Sequence, residues 1–191
     1  MPADPFAFLS QPSETVAPQL LGSLLVRTVN GRKLIARIVE TEAYSQDDLA
    51  SHSYRGKTER TAVMFGPAGF LYVYFTYGMH YCCNVVAGPE GRGEAVLIRA
   101  VEPLEGLDDM EVNRRGRTGI ELTNGPAKAC QALAIDKALN GHDLRAGELV
   151  LEPQKPLKTD QIVQTTRIGI SQAQDTPWRF YIRGNRYVSR P

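Results

Sequence analysis

A chain of 191 residues with 42% hydrophobic and 23% charged content is long enough to bury one sizeable core, and its formal net charge of +1 gives no ground for a general attraction to nucleic acid. Any affinity for phosphate has to come from local clusters of Arg and Lys. Three cysteines, Cys82, Cys83 and Cys130, include an adjacent pair and no metal-type spacing. That pattern argues against a disulfide framework or a zinc site, and the longest apolar runs fall far short of the roughly 20 residues a membrane helix needs, so a reduced, cytoplasmic, unexported protein is expected.

Residues 1–13, with three prolines, read as a weakly ordered lead-in, and residues 14–191 as one continuous domain without repeat or low-complexity segment. A short helix is expected from Val16 to Leu25. The Asn30-Gly31 turn signal then introduces a strand over Leu34–Thr41, with Glu40 and Glu42 at its end on one face. From Ser45 to Gly69 periodicity dissolves into polar and basic residues, Asp47, Asp48, His52, Arg55, Lys57 and Arg60 among them, which reads as a functional loop.

Phe70–Thr76 is rich in aromatic and β-branched residues, and Tyr77-Gly78-Met79-His80 reads as the reversal into a partner strand, Tyr81–Val86. Period two sets Tyr72, Tyr74 and Thr76 on one face of this hairpin and Leu71, Val73 and Phe75 on the other, core face. A strand over Glu94–Val101 puts Arg99 on a face with Ala95 and Leu97. A helical stretch from Leu104 turns Leu107 and Met110 inward before a basic turn at Arg114, Arg115 and Arg117. Asn124-Gly125-Pro126 starts a further helix that buries Ala127, Cys130 and Leu133 or Ala134 and offers backbone N–H groups to a phosphate. Leu149–Leu151, Arg167–Ile170 and Arg179–Ile182 return to the sheet. The fold class is α+β: a curved, mainly antiparallel sheet, partly barrel-like, with surrounding helices and a protruding hairpin.

Two carboxylates thus stand ahead of four tyrosines within the ten residues from Tyr72 to Tyr81. Flat rings stack on planar bases, a nearby carboxylate can activate water, and flanking Arg and Lys can hold phosphate, a combination that points to chemistry on a nucleobase. The blocks VETEAY, MFGPAG followed by LYVYFTYGMHYCCNVV, LIRAVEPLEG and NGPAKACQALAI, in that order from about Leu20 to Ser189, resemble the alkyladenine, or 3-methyladenine, DNA glycosylase family.

The resemblance implies a monofunctional, cofactor-free and metal-free repair enzyme acting on double-stranded DNA; a monomer is the default expectation. It implies that an alkylated or deaminated purine, of the 3-methyladenine, 7-methylguanine, hypoxanthine and ethenoadenine class, is flipped out and its N-glycosidic bond hydrolysed to leave an abasic site. Carried over by residue, Glu42 matches the catalytic acid that activates water, and Tyr44, His52 and Tyr74 the residues lining the flipped base. Asn84 matches the side chain that crowds the exocyclic amino group of guanine, and Tyr77, with Met79 beside it, the wedge that fills the gap in the duplex. Arg99 matches an arginine near the flipped nucleotide's phosphate. Apart from the resemblance, the local cluster of Arg55, Lys57 and Arg60, with the turn at 114–117, is expected to supply further phosphate contacts. Glu40 takes a supporting place. The chain departs from the family in reading Glu59-Arg60-Thr61 where members often have Pro-Arg-Asn, and in a shorter Tyr44–His52 stretch.

Three other readings stand beside this one. A lyase would use an amine such as Lys57 or Lys128, and a nucleoside hydrolase would use a metal-holding aspartate group at Asp47-Asp48. A non-catalytic binding module would use the tyrosines only to stack on exposed bases.

Overall fold

Asn30 and Gly31, with φ of 50° and 76°, close the turn between β1 (Leu24–Val29) and β2 (Arg32–Tyr44), the longest strand in a computed structural model that describes residues 4–190. β2 organises everything else. Its first half pairs antiparallel with β1, its second half with β8 (Arg179–Ile182), and its other edge runs along β5 (Ala95–Glu105). Of three register shifts against β5, the two at the exchange of partners make Val39 the extra residue on β2 and Arg99 the extra residue on β5. Such bulges bend a strand and re-aim its side chains.

The sheet continues on one side through β4 (His80–Val86) to β3 (Leu71–Thr76), and on the other through β1 to β6 (Leu149–Glu152); β8 carries β7 (Ile162–Thr165). All pairings between these strands are antiparallel, and among the described residues the eight curl into a half-barrel with three α-helices, the expected α+β architecture. No helix among the described residues is long and apolar enough to cross a membrane.

The hairpin β3–β4 forms where the aromatic alternation placed it. Tyr77 and Gly78 both hold positive φ, 51° and 67°, and the Met79 N–H closes the turn on the Thr76 carbonyl. Leu71 and Val73 enter the main core as expected, whereas Phe75 stays 51% exposed. By then the ribbon has left the body of the protein, so Phe75 finds only Tyr81 across the strand, with ring centroids 5.0 Å apart.

α1 (Ser13–Leu20) buries Val16, Ala17 and Leu20 against the sheet. It ends five residues earlier than the apolar run suggests: Leu21 is extended and Gly22 takes φ 89°, so Leu24 and Leu25 belong to β1. Each large apolar side chain buried in this way contributes about 1.5–3 kcal/mol. The Thr41 hydroxyl donates to the Ala17 carbonyl, which sets α1 over the face of β2 opposite the glutamates.

α2 (Leu107–Asn113) buries Met110 fully, but Leu107, at the first helical position after Gly106, is 42% exposed, contrary to expectation. α3 (Pro126–Ala132) starts at Pro126 as read, and Cys130 and Leu133 are buried, while Ala127 and Ala134 are only half-covered. Arg167–Ile170 is not a strand. The middle of the three C-terminal strands is β7, which starts five residues earlier, and Arg167 opens an irregular segment. Within the expected lead-in, residues 1–3 lie outside the described residues; Ala7–Ser10 forms a 3-10 turn whose Leu9 is fully buried.

Candidate active site

Glu40 and Glu42 project from β2 on the face away from α1, and neither retains any exposed surface. They lie inside the strand rather than at its end, with β5 on one edge and β8 on the other. Glu40 Oε1 accepts from Arg179 Nε at 2.7 Å and from the Ser189 hydroxyl at 2.9 Å, and Oε2 accepts from the Ser189 N–H at 2.7 Å. Glu42 Oε2 accepts from the Tyr44 hydroxyl at 2.8 Å; Oε1 accepts from the Ile168 N–H at 2.8 Å. Arg99, the extra residue of the β5 bulge, places its guanidinium 3.3 Å from both Glu40 Oε1 and Glu42 Oε1.

Two carboxylates and two guanidinium groups therefore form a balanced buried cluster, which is the condition under which such charges survive out of water. Burial alone would pull Arg99 down, but the Glu42 and Glu40 carboxylates outweigh it and hold its pKa above the usual value. Burial, reinforced by Glu42, pushes the Tyr44 phenol far above its ordinary range, which keeps it a hydrogen-bond donor to the carboxylate.

On the open side of this cluster lies a pocket of about 480 Å³. Volumes of this order suit a small planar ligand. Tyr72 and Tyr74 stack at 5.7 Å and 27° along one wall, and His52 meets the Tyr74 ring edge-on at 4.6 Å. Its Nδ1 lies 3.1 Å from the Tyr72 hydroxyl. Although more than a third of His52 is open to solvent, displacement of water from the ring, aided by the nearby Arg60 cation, lowers its pKa to about 4. The imidazole is consequently neutral at pH 7 and offers one donor and one acceptor. Asn84 spends its amide donor on the Tyr72 carbonyl at 3.2 Å. Tyr44, Arg99, Cys82, residues 49–51 and residues 168–172 are also among the lining, and Tyr77 stands at the rim, 82% exposed.

Residues 7–186 match the family model described as methylpurine-DNA glycosylase. The chain belongs to the methylpurine-DNA glycosylase family. It is 54% identical over 187 residues to a protein of Carboxydothermus hydrogenoformans named "Putative 3-methyladenine DNA glycosylase", covering 97% of this chain and 98% of the relative. Proteins of the same name from Methanoculleus marisnigri (53% over 189 residues, 97% and 98% covered) and Francisella tularensis subsp. tularensis (50% over 177 residues, 91% and 92% covered) are similar throughout. The family is one of DNA N-glycosylases acting in DNA repair, and DNA is the substrate such an enzyme requires.

In this glycosylase Tyr44, His52, Tyr74 and Asn84 gather around one pocket, with Glu42 sealed behind its wall by Tyr44, Ile168 and Arg99. The sequence had set the acid at the slot's edge; the extra length of β2 and the docking of residue 168 enclose it instead. The β5 bulge turns Arg99 onto the two glutamates, and the same side chain lines the pocket. Tyr77 and Met79, the latter 69% exposed, form the hairpin tip. Arg55, Lys57 and Arg60 are exposed without an acidic partner among the described residues, and Arg60 lies over the Tyr74 ring at 5.7 Å from its centroid.

The basic turn is divided: Arg114 is tied to the Glu121 and Leu122 carbonyls and to Gln131, leaving Arg115 and Arg117 exposed. Asp47 pairs with Arg92 and Asp48 with Arg167, so the two aspartates serve separate arginines. Lys128 is held by Glu121 and Asn124. Sequence reasoning missed Tyr72 as the support of His52, Cys82 as part of the lining, and the whole 168–172 wall. Only Tyr72 carried a usable signal, its alternation with Tyr74.

Proposed function

We propose that this protein rotates an alkylated or deaminated purine out of duplex DNA into the aromatic pocket and cleaves its N-glycosidic bond with a water activated by Glu42. The observation that carries the reading is the juxtaposition of a ring-lined pocket with a fully buried carboxylate whose partners, Tyr44, Ile168 and Arg99, are themselves pocket-lining residues. Oε2 has one protein donor, the Tyr44 hydroxyl, which leaves it a lone pair, and water reaches this buried group by a shift of the pocket-lining Tyr44 or Ile168. A carboxylate there opposes the positive charge that develops on the sugar as the base departs, and it takes the proton that the attacking water sheds.

Tyr44 and Tyr74 supply ring surface for the base, and neutral His52 hydrogen-bonds its edge. Asn84 crowds an exocyclic amino group at the position where guanine carries one, which selects against the normal base. Tyr77 enters the duplex as the base leaves, with Met79 against the backbone, and Arg55, Lys57 and Arg60 hold phosphates irrespective of sequence. Damaged pairs open at lower cost than intact ones, so selection starts before chemistry. The lesion class includes 3-methyladenine, 7-methylguanine, hypoxanthine and ethenoadenine. The product is an abasic site without strand scission, a reading supported by the engagement of Lys128 away from the pocket.

Glu42→Gln tests the mechanism. Glutamine keeps the shape, accepts from Ile168 N–H and meets the Tyr44 hydroxyl, so the pocket is preserved. Binding to a duplex containing hypoxanthine is retained, while release of free hypoxanthine, measured in single turnover, is abolished. Unchanged release would remove Glu42 from the mechanism, and no release by the unaltered protein on any damaged purine would favour a binding module.

A further inference from the structure

Arg167 is fully buried at its side chain and meets Asp48, also buried, through both terminal nitrogens, the Nη2 to Oδ1 distance being 3.0 Å. Nη1 donates in addition to the Ala43 carbonyl at 3.0 Å, on the strand residue between Glu42 and Tyr44. The guanidinium carbon stands 4.8 Å from the centre of the Tyr44 ring and 5.4 Å from that of Trp178. One planar fork is thus held by a carboxylate, a strand carbonyl and two rings, a geometry that arginine supplies and lysine does not.

What this fork connects is more informative than the pair itself. Asp48 anchors the turn whose next residues, Leu49 to His52, line one side of the pocket; its Oδ1 also accepts from Ala50 N–H at 3.0 Å. Arg167 immediately precedes the wall 168–172 on another side, and the very next N–H, that of Ile168, is the one bonded to Glu42 Oε1. The chain between Thr165 and Arg179 has no strand or helix to hold it, and the fork joins the Ile168 N–H bond to Glu42 and the Trp178 carbonyl, which accepts from Ala43 N–H at 2.8 Å, in tying it to the sheet.

We propose that the Arg167–Asp48 pair is a positioning device for the glycosylase reaction. It fixes the 168–172 wall so that Ile168 N–H fills one lobe of Glu42 Oε1, and it locks the Tyr44 ring whose hydroxyl holds Oε2, so that the carboxylate keeps one orientation behind the pocket wall. Neither residue touches the base or the sugar; both act through Ile168, Tyr44 and Glu42. The assignment rests on the reading of Glu42 given under the proposed function.

The test is Arg167→Lys, which keeps the charge and loses the fork, together with Asp48→Asn as a milder break. Single-turnover release of hypoxanthine from a duplex, at a temperature where each variant is fully folded, falls by about 10- to 100-fold, the scale of a small misplacement in a reacting geometry. Affinity for the same duplex changes by less than about 3-fold, because the lost alignment weighs on the transition state rather than the bound state. Leu151→Ala, on β6 at the far end of the sheet, serves as a control destabilised by packing alone and keeps its rate when folded. If the Arg167 and Asp48 variants track that control, with rates unchanged, the proposal is overturned. Amide exchange at Ile168 gives a second measurement independent of turnover: protected in the unaltered protein and accelerated in Asp48→Asn. Unchanged protection overturns the proposal even if activity falls. Should the unaltered protein release no damaged purine, the mechanism assigned to Glu42 fails while the exchange result still decides whether the pair holds Ile168.

Discussion

Replacing Arg99 by methionine removes one of the two cations from the buried cluster while keeping much of the side-chain volume. Glu40 retains Arg179, 2.7 Å away, but Glu42 is left with only the Tyr44 hydroxyl and the Ile168 N–H. At 3.3 Å the Arg99–Glu42 attraction is of order 5 kcal/mol at an effective dielectric of about 20, and removing one partner of a buried pair costs about 3–5 kcal/mol. For a chain of this length each kcal/mol lowers the melting temperature by about 2–4 °C, so Arg99→Met melts roughly 10 °C lower. The assay is thermal unfolding by circular dichroism at pH 7.5, run beside single-turnover base release. The double variant Arg99→Met with Glu42→Gln recovers part of the stability, because it also removes the uncompensated charge. A single variant that melts within about 2 °C of the parent, or a double variant whose loss is the plain sum of its parts, refutes the account of a charge-balanced cluster.

Other perturbations separate binding, protonation and burial. Tyr77→Ala, at a position 82% exposed, leaves stability within about 0.5 kcal/mol yet lowers base release from duplex far more than from single-stranded DNA; equal losses on both substrates would count against a wedge. His52 has its folded-state pKa lowered to about 4, so between about pH 6.5 and pH 4 the unfolded chain takes up a proton that the folded one refuses, and stability declines as pH falls through that window. His52→Gln flattens this part of the stability curve; an unaltered slope would mean that the ring is not held neutral. Burial pushes the Cys82 thiol up to about 11, and Cys83 and Cys130 are also buried, so a thiol reagent at pH 7.5 labels none of the three cysteines until the protein is unfolded. Rapid labelling of any one in the native state would contradict this packing.

Where local chemistry and global packing agree, the sequence was readable. The hairpin is the clearest example, since aromatic alternation on both sides of Tyr77-Gly78 leaves one register that buries Leu71 and Val73. The glutamates were legible as a same-face pair on a strand, but their enclosure was not, because it depends on a β5 bulge and on β8 arriving 139 residues later. The run from Val16 to Leu25 is apolar enough for either a helix or a strand, and the positive φ of Gly22 makes the division. Around Ile168 the signal fails for a plainer reason: Asp48 and Arg167 are 119 residues apart, each inside an irregular segment, and an isolated charge says nothing of its partner.

The Ser189 bonds to Glu40 join groups 149 residues apart, and Arg179 reaches the same carboxylate across 139. A proteolytic nick ahead of Arg179 that lets the following segment dissociate would strip the buried acid of both partners while leaving the tyrosine ribbon folded. The charge balance inside the sheet is therefore only as durable as the grip of β8 on β2.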